Sequence, residues 1–221
     1  MKRVALTLPA PFALAPTRLD AERLADIAAR AAVIVLFSMM AIRFGSDFVK
    51  TGRMTGLLLL VSEMLVVVLT VMRRSAAIVD RSMRARLLTA LSMLAPPLLQ
   101  PALVAPLVPQ WLTVAASIVG LTVVIAGKVT LGRSFGLMPA NRGVVSSGVY
   151  RIVRHPIYLG YMVTHVAFLA ATPSAWNIAA LFAADAALLA RAVCEEKTLA
   201  RDERYQTYQQ AVRWRVLPGV F

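Results

Sequence analysis

The chain has 221 residues, 59% of them hydrophobic, and its mean hydropathy is +0.70. A soluble domain has about 45–50% apolar residues, so this excess indicates a chain that folds in an apolar solvent. The formal net charge of +13 would suggest nucleic acid as the partner of a soluble protein. Here the basic residues lie between long apolar runs, which indicates loops held against anionic lipid headgroups and excludes nucleic acid as the expected partner.

Apolar runs in chain order predict membrane helices, because a span needs about 20 mostly apolar residues. Residues 159–171 and 175–190 form a shorter pair that turns at residues 172–174. Its helices reach only about 20–24 Å, short of the hydrocarbon core of about 30 Å, so the pair tilts little, thins the bilayer or has recessed ends. The expected fold is all-α and polytopic, with about six transmembrane helices and a cytosolic C-terminal helical segment. Residues 1–126 supply the first four spans, and 127–221 form the functional core. Those four spans are residues 31–42 with the amphipathic stretch from residue 24, residues 54–72, residues 87–108 and residues 111–126.

The third run contains Pro96, Pro97, Pro101 and Pro106, so one kinked helix and two separate pieces are both compatible with the sequence. Basic residues fix the orientation that we expect. With six spans, 21 of the 24 Lys and Arg fall on one side, and only Arg43, Lys50 and Arg53 fall on the other. We therefore expect a multi-pass integral membrane protein whose termini and active site are cytosolic, in the inner or plasma membrane if the source is bacterial.

Two acidic residues interrupt the apolar runs. Glu63 lies in the middle of the second run and Asp185 lies in the sixth. Such groups face the protein interior or a wet cavity and often mark function. For Glu63 a functional role and a helix-to-helix hydrogen bond are equally compatible with the sequence. For Asp185, and for His165 in the fifth run, an interhelical hydrogen bond is the favoured interpretation.

Common soluble-enzyme motifs are missing. The sequence has no GxGxxG after a strand, no phosphate-binding loop and no HExxH. Two histidines and one cysteine cannot supply an all-protein zinc site of the usual kind, so no metal is expected.

The polar residues that could carry chemistry concentrate in two segments. Residues 143–160 contain His155 and Tyr158 at an irregular junction, because Pro156 disfavours helix at the residue before it. This junction is either a binding site or a headgroup anchor. In the second segment, Arg191 and Glu195 lie one helical turn apart, as a solvated ion pair or as a cation and carboxylate offered to a zwitterionic ligand. The tyrosines and tryptophan beyond them are typical of an interfacial belt.

At these residues the sequence resembles the isoprenylcysteine carboxyl methyltransferase family and its bacterial relatives. The matching pattern is G-V-Y-x-x-x-R-H-P-x-Y-x-G, a two-helix hairpin, E-E-x-x-L, spaced tyrosines and a terminal L-P, over about residues 130–221. The R-H-P-x-Y-x-G element is shared with phospholipid and thiol methyltransferases and loosely with membrane sterol reductases. The Phe-Gly that usually follows E-E-x-x-L is missing here.

The resemblance implies an enzyme that takes S-adenosyl-L-methionine from the cytosol and a lipophilic or prenylated acceptor from the bilayer. It implies that Arg191 reaches the acceptor and that Glu195 takes the ammonium end of the cofactor, with Glu196 as the alternative if the register slips by one. Because residues 131–141 form a shorter loop than in eukaryotic members, the resemblance assigns no cofactor contact to them. The remaining residues implied for the cofactor pocket are Arg142, Gly143, Val144, Val145, Tyr150, His155, Pro156, Ile157 and Tyr158.

Two alternatives stay open on the sequence. A sterol-reductase-like enzyme would use NADPH, and Arg213 with Arg215 could bind its phosphates. A non-catalytic helper or transporter would use Glu63 and Asp185 as a polar path, although the sequence has none of the internal repeats typical of transporters. The acceptor, whether a carboxylate, a thiol or another nucleophile, is not disclosed by the residues.

Overall fold

The computed structural model describes residues 17–72, 78–80, 82–101, 104–136 and 139–221. These residues are mostly helical, as the composition predicts. A division between Val35 and Leu36 separates the first part of the first helix from the unit Leu36–Phe221, which contains the site described below. The helices are α1 Thr17–Thr51, α2 Met54–Met72, α3 Met83–Leu98, α4 Gln110–Leu131, α5 Pro156–Ala171, α6 Ala175–Leu199 and α7 Glu203–Ala211, and the strands are β1 Ile78–Val79 and β2 Ala140–Asn141.

Short polar side chains mark where several helices begin. The hydroxyl of Ser82 accepts a hydrogen bond from the backbone of Ala85 before α3, and Ser174 does the same for Asn177 before α6. The Asp202 carboxylate accepts from the Arg204 backbone before α7. Such N-caps satisfy backbone N–H groups that have no partner inside the helix. The turn predicted at residues 172–174 is confirmed, and it ends in one of these caps.

The proline-rich third run is corrected by the structure. Helix α3 ends at Leu98, and residues 99–101 and 104–109 are not helical. Pro96 and Pro97 lie in the last turn of α3. Each proline removes a hydrogen bond to the preceding turn, and Pro101 disfavours helical conformation at Gln100, so the helix ends within this stretch. The third run therefore contains one helix of 16 residues, and the described residues that follow it, 99–101 and 104–109, are not helical.

The helical pair α5 and α6 is joined by a tight turn, yet its members pack mainly on other helices. Helix α5 packs on α4, and α6 packs on α3. Gly120 of α4 and Gly160 of α5 allow the first contact: a β-carbon added at Gly160 would lie 2.7 Å from the Gly120 carbonyl oxygen. The glycine of the R-H-P-x-Y-x-G element is thus the point where two helix backbones touch. Small residues in this role are typical of membrane helix packing.

Within the described residues, two segments have the length and hydropathy of a membrane span, Gln110–Ser134 and Ala175–Leu199, and α5 is a shorter apolar helix. Large apolar side chains cover the outer faces of these helices; Phe182 of α6 is 77% exposed, and Val119 and Val166 are also exposed. A helix with an apolar outer face and both polar and apolar residues on its inner face is suited to a lipid surrounding. The total of six spans and the cytosolic orientation stay predictions, as does the division at residue 126.

The contact between α4 and α5 gives a prediction for stability. Replacing Gly160 by Ala places a β-carbon 2.6 Å from a methyl group of Val124 and 2.9 Å from its backbone nitrogen, so the two helices must move apart. We expect Gly160→Ala to lower the free energy of unfolding by about 1–3 kcal/mol. Thermal unfolding of the detergent-purified protein measures the change.

Gly45→Ala is the matched control, because no atom lies within 4 Å of the added β-carbon and Gly45 lies inside α1. This variant should unfold at the same temperature or slightly higher, since Ala favours a helix over Gly by about 1 kcal/mol. Equal melting temperatures for Gly160→Ala and the unmodified chain would contradict the close approach.

Candidate functional site

The loop after α4 is held in place by side-chain hydrogen bonds. Asn141 is the centre of this arrangement: its amide nitrogen donates to Asp202 at 2.9 Å, and its side-chain oxygen accepts from the backbone of Gly143 at 2.9 Å. The hydrogen bond from Asn141 lowers the pKa of Asp202. Strand β2, which includes Asn141, also pairs antiparallel with β1. The loop is thereby fixed to the start of α7.

The junction before α5 is stabilised by the C-terminal segment. The backbone N–H groups of Arg154 and His155 donate to the carbonyl oxygens of Trp214 and Arg215, at 2.9 and 2.7 Å. His155 has φ −126° and ψ 61°, which is not helical, and Pro156 occupies the first helical position. Proline suits that position because it has no N–H to satisfy. The irregular junction expected from the sequence is present, and its backbone donors are bound by residues 60 positions later.

Glu196 is the most heavily bonded side chain of the region. Its carboxylate accepts from Nε of Arg154 at 2.8 Å and from Nε of Arg215 at 2.8 Å. Nε2 of His155 and Nε2 of Gln209 each lie 3.3 Å from it. The residue is only 4% exposed. A buried carboxylate with this many charged donors ties together the His155 junction, helix α6 and the C-terminal segment.

Glu195 turns the other way and forms the centre of a second group. Its Oε1 accepts from the hydroxyl of Tyr158 at 2.8 Å and from Nε of Arg191 at 3.0 Å. Its Oε2 lies 3.7 Å from Nδ1 of His155, too far for a hydrogen bond, so this oxygen keeps its capacity to accept from a ligand. The Arg191 guanidinium also lies over the Tyr158 ring, 5.6 Å from its centre. The predicted pairing of Arg191 with Glu195 one turn later is confirmed.

Three tyrosines form an aromatic wall beside this group. Tyr205 and Tyr208 of α7 are buried, with ring centres 5.6 Å apart, and the Tyr208 hydroxyl donates to the carbonyl of Tyr150 at 2.8 Å. Burial raises the pKa of Tyr150, Tyr205 and Tyr208, and the Glu195 carboxylate adds to the effect at Tyr150. All three phenols are therefore neutral at physiological pH. The interpretation of Tyr205 and Tyr208 as a membrane-surface belt is wrong.

One cavity of about 150 Å³ joins these groups. It lies along the gap between α5 and α6, which side-chain bridges cross at Tyr158–Glu195 and at His165–Asp185. The residues proposed from the resemblance that line it are Arg142, Gly143, Val144, Val145, Tyr150, His155, Ile157, Tyr158, Arg191 and Glu195. The His155 junction and the end of α6 thus meet in one site.

Two of the residues proposed for the cofactor pocket are placed elsewhere. Pro156 does not line the cavity, because its ring faces Gly127 of α4. Glu196 does not line it either, because its carboxylate is bound by Arg154, His155 and Arg215. Since neighbouring residues on a helix point about 100° apart, only one of two adjacent glutamates can face the cavity. The structure assigns that place to Glu195.

Several lining residues were not in the predicted set. The loop of residues 131–141, to which the resemblance assigned no cofactor contact, contributes Leu131, Ser134, Phe135, Gly136 and Ala140. Helix α2 contributes Glu63, and α3 contributes Ser92, Met93 and Pro96, although the resemblance began only near residue 130. A sequence signal existed for the tyrosines, which stand three residues apart on one face of a helix. For α3 there was none, because its role depends on its packing against α6.

Comparison with known proteins agrees with the resemblance noted from the sequence. Residues 111–201 match the sequence model of the Isoprenylcysteine carboxyl methyltransferase (ICMT) family. The matched range includes α4, α5 and α6, and with them His155, Tyr158, Arg191 and Glu195. The match supports an ICMT-like assignment, and the family is one of membrane methyltransferases. A search of curated proteins found no match.

The bonding of Glu196 gives a second prediction. Glu196→Ala leaves the Arg154 guanidinium buried without its counter-charge, so we expect the free energy of unfolding to fall by about 3 kcal/mol. Thermal or denaturant-induced unfolding in detergent measures this. Glu203→Ala is the control: Glu203 is exposed in the first turn of α7, and its removal should cost less than about 1 kcal/mol. Similar losses for the two variants would contradict a structural role of Glu196.

Proposed function

We propose that this protein, whose residues 111–201 match the ICMT family, is a membrane methyltransferase that transfers a methyl group from S-adenosylmethionine to a nucleophile of a lipophilic acceptor. The acceptor class is an isoprenylcysteine-like or lipid molecule that carries a carboxylate, a thiol or a similar nucleophile. The observation that carries the proposal is the meeting of Arg191, Glu195 and Tyr158 in one cavity against an aromatic wall.

The residues of the cavity fit the chemical groups of S-adenosylmethionine. Oε2 of Glu195 is an accepting oxygen without a hydrogen bond in the described part of the chain, which suits an ammonium group. Tyr150, Tyr205 and Tyr208 supply apolar aromatic surface of the kind that binds a flat adenine ring or a cation. Val144 and Val145 pack against the same cluster.

The cofactor, when bound, supplies an electrophilic methyl group on a positively charged sulfur. The protein's task is then to hold the acceptor nucleophile in line with that methyl group and to keep water out. Arg191 is suited to orient an anionic acceptor, because its guanidinium is fixed by Glu195 on one side and by the Tyr158 ring on the other. A carboxylate or thiolate attacks without a general base, so orientation by an arginine suffices.

The apolar part of the acceptor would lie against hydrophobic side chains of the lining. Met93 and Pro96 of α3, Leu188 of α6 and Ile157 of α5 provide them. Such a lining suits a hydrocarbon or prenyl chain that reaches the site from the bilayer, with the cofactor arriving from the cytosol.

An NADPH-dependent reductase is less well supported. Arg213 and Arg215, the expected phosphate ligands, do not line the cavity. The Arg215 side chain is bonded to Glu196, and that of Arg213 lies over the Trp214 ring. The two cations expected to bind the phosphates of NADPH are thus engaged outside the cavity.

The cofactor assignment predicts selective stabilisation. S-adenosylhomocysteine at 100 times its dissociation constant should raise the free energy of unfolding of the detergent-purified protein by about 2.7 kcal/mol, with a corresponding increase in melting temperature. NADPH at the same concentration should leave the melting temperature unchanged. A shift with NADPH alone would contradict the methyltransferase proposal and favour the reductase.

Arg191 and Glu195 should affect different steps. We expect Glu195→Gln to weaken S-adenosylmethionine binding about tenfold, because a charge-assisted hydrogen bond is lost. Arg191→Lys should lower kcat about 100-fold with little change in cofactor affinity, because a lysine cannot hold an anion in a fixed planar geometry. Calorimetry and transfer of a labelled methyl group to an S-farnesyl cysteine derivative, or to another acceptor that the enzyme accepts, measure the two effects.

Lys197→Gln is the control for this pair, because Lys197 lies on the same helix and is exposed. It should leave both quantities unchanged. Equal losses of binding and turnover in the Arg191 and Glu195 variants would refute the assignment of separate roles.

A further inference from the structure

The cavity extends well beyond the Arg191–Glu195 group, along one face of α5. Tyr158, Tyr161 and His165 all line it, three and then four residues apart. At 1.5 Å per residue, His165 lies about 10 Å further along α5 than Tyr158. Glu63 of α2 lines the cavity as well and interacts electrostatically with His165. We call Glu63 and His165 together the inner subsite.

Both residues of the inner subsite have a buried polar atom without a hydrogen-bond partner among the described residues. These atoms are Oε1 of Glu63 and Nε2 of His165, and the two side chains are only 5% and 1% exposed. A buried polar atom left without a partner costs about 1–3 kcal/mol, and native proteins have few of them. Two such atoms on residues that line the same cavity therefore indicate a bound polar group.

Hydrogen bonding around His165 defines what that group must be. Nδ1 of His165 lies 2.7 Å from Oδ1 of Asp185. A carboxylate only accepts, so Nδ1 of His165 donates to Asp185, and Nε2 is the ring nitrogen left for a ligand. Oε1 of Glu63 accepts hydrogen bonds and therefore needs a donor. An ether, an ester oxygen or a hydrocarbon chain cannot donate, whereas a hydroxyl can donate to Glu63 and form a second hydrogen bond with Nε2.

Neighbouring side chains hold both residues of the inner subsite in place. Lys128 of α4 is fully buried, interacts electrostatically with Glu63, and lies over the Tyr161 ring at 5.0 Å. Tyr161 in turn stacks on the His165 ring, with centres 6.1 Å apart. These contacts fix the positions of the Glu63 and His165 side chains. A fixed pair of buried polar atoms discriminates strongly against ligands that cannot form hydrogen bonds with them.

We propose that the inner subsite binds a hydroxyl group of the lipophilic acceptor, with the hydroxyl donating to Nε2 of His165 or to Oε1 of Glu63. The acceptor would then be a molecule with two polar groups, one at Arg191 and one about 10 Å away along α5. Its description as a methylated substrate rests on the proposed function, whereas the binding of a hydroxyl does not. A plain prenyl or acyl chain would leave Oε1 of Glu63 and Nε2 of His165 without a hydrogen-bond partner.

The test compares two probes that differ by one methyl group, 4-hexylphenol and 4-hexylanisole. The full chain in detergent is titrated with each probe at matched mole fraction in the micelle, with S-adenosylhomocysteine present. The unmodified protein should bind the phenol at least tenfold more tightly, since a hydrogen bond to a buried acceptor is gained only with the phenol. A preference below threefold would overturn the proposal and leave buried water as the partner of these atoms.

Two variants test whether the preference for the phenol depends on the inner subsite. His165→Asn keeps a donor for Asp185 and removes Nε2, and Glu63→Gln replaces one carboxyl oxygen by an amide. The preference should fall below threefold in at least one of them, with unchanged affinity for S-adenosylhomocysteine. Its retention in both would overturn the proposal. Should His165→Asn fail to fold, the double variant His165→Leu with Asp185→Leu takes its place under the same criterion, because it removes Nε2 together with the buried hydrogen-bond partner of the ring.

Ser117→Ala is the matched control. The Ser117 hydroxyl is also buried without a hydrogen-bond partner among the described residues, but Ser117 does not line the cavity. This variant should keep the full preference for the phenol. The inner subsite and the proposed function can fail separately. Failure of S-adenosylhomocysteine to bind would refute the methyltransferase. A preference for the phenol measured without S-adenosylhomocysteine would still support the inner subsite.

Discussion

The buried carboxylate of Glu196 is the interaction on which the rest of the site depends. It draws together three parts of the chain that are far apart in sequence, through Arg154 before α5, Glu196 itself on α6 and Arg215 near the C-terminus. Removing these charges from water is costly, and only their mutual contacts offset the cost. The His155 junction therefore takes its position only when α6 and the C-terminal segment are both in place. A site assembled in this way depends on the tertiary fold and is absent from any single segment.

The same constraint explains why two adjacent glutamates have different roles. Glu196 is neutralised by Arg154 and Arg215, which leaves it no capacity for a ligand. Glu195 is paired with Arg191 and Tyr158 through one oxygen, and its second oxygen stays available. The Glu196 carboxylate thus holds the segments around the site together, and the Glu195 carboxylate faces the cavity. Exchanging the two would require a rotation of α6 by about 100°, which its packing on α3 forbids.

Sequence alone predicted the features that follow from local chemistry. Helix α2 was predicted at its observed bounds because an apolar run with Glu63 as its one charged residue ends at a basic stretch of sequence, and the turn before α6 was predicted from Thr-Pro-Ser. The choice between Glu195 and Glu196 could not be predicted, since it depends on where Arg154 and Arg215 lie in space. The burial of Tyr205 and Tyr208 was missed for a related reason: tyrosine suits both a membrane surface and a cavity wall, and only the position of α7 distinguishes them.

Polar side chains from α5 and α6 face one another at the cavity. Helices that pack by small residues, as α4 and α5 do at Gly120 and Gly160, leave no space between them. Helices α5 and α6 instead pack on different neighbours, and polar bridges at Tyr158–Glu195 and His165–Asp185 cross the space between them. Polar groups are expensive in a bilayer unless they face one another, so the bridges confine polarity to the inside of the gap. A cavity with a polar interior and apolar outer helix faces can therefore form within a lipid surrounding, which is what a lipophilic acceptor with polar reacting groups requires.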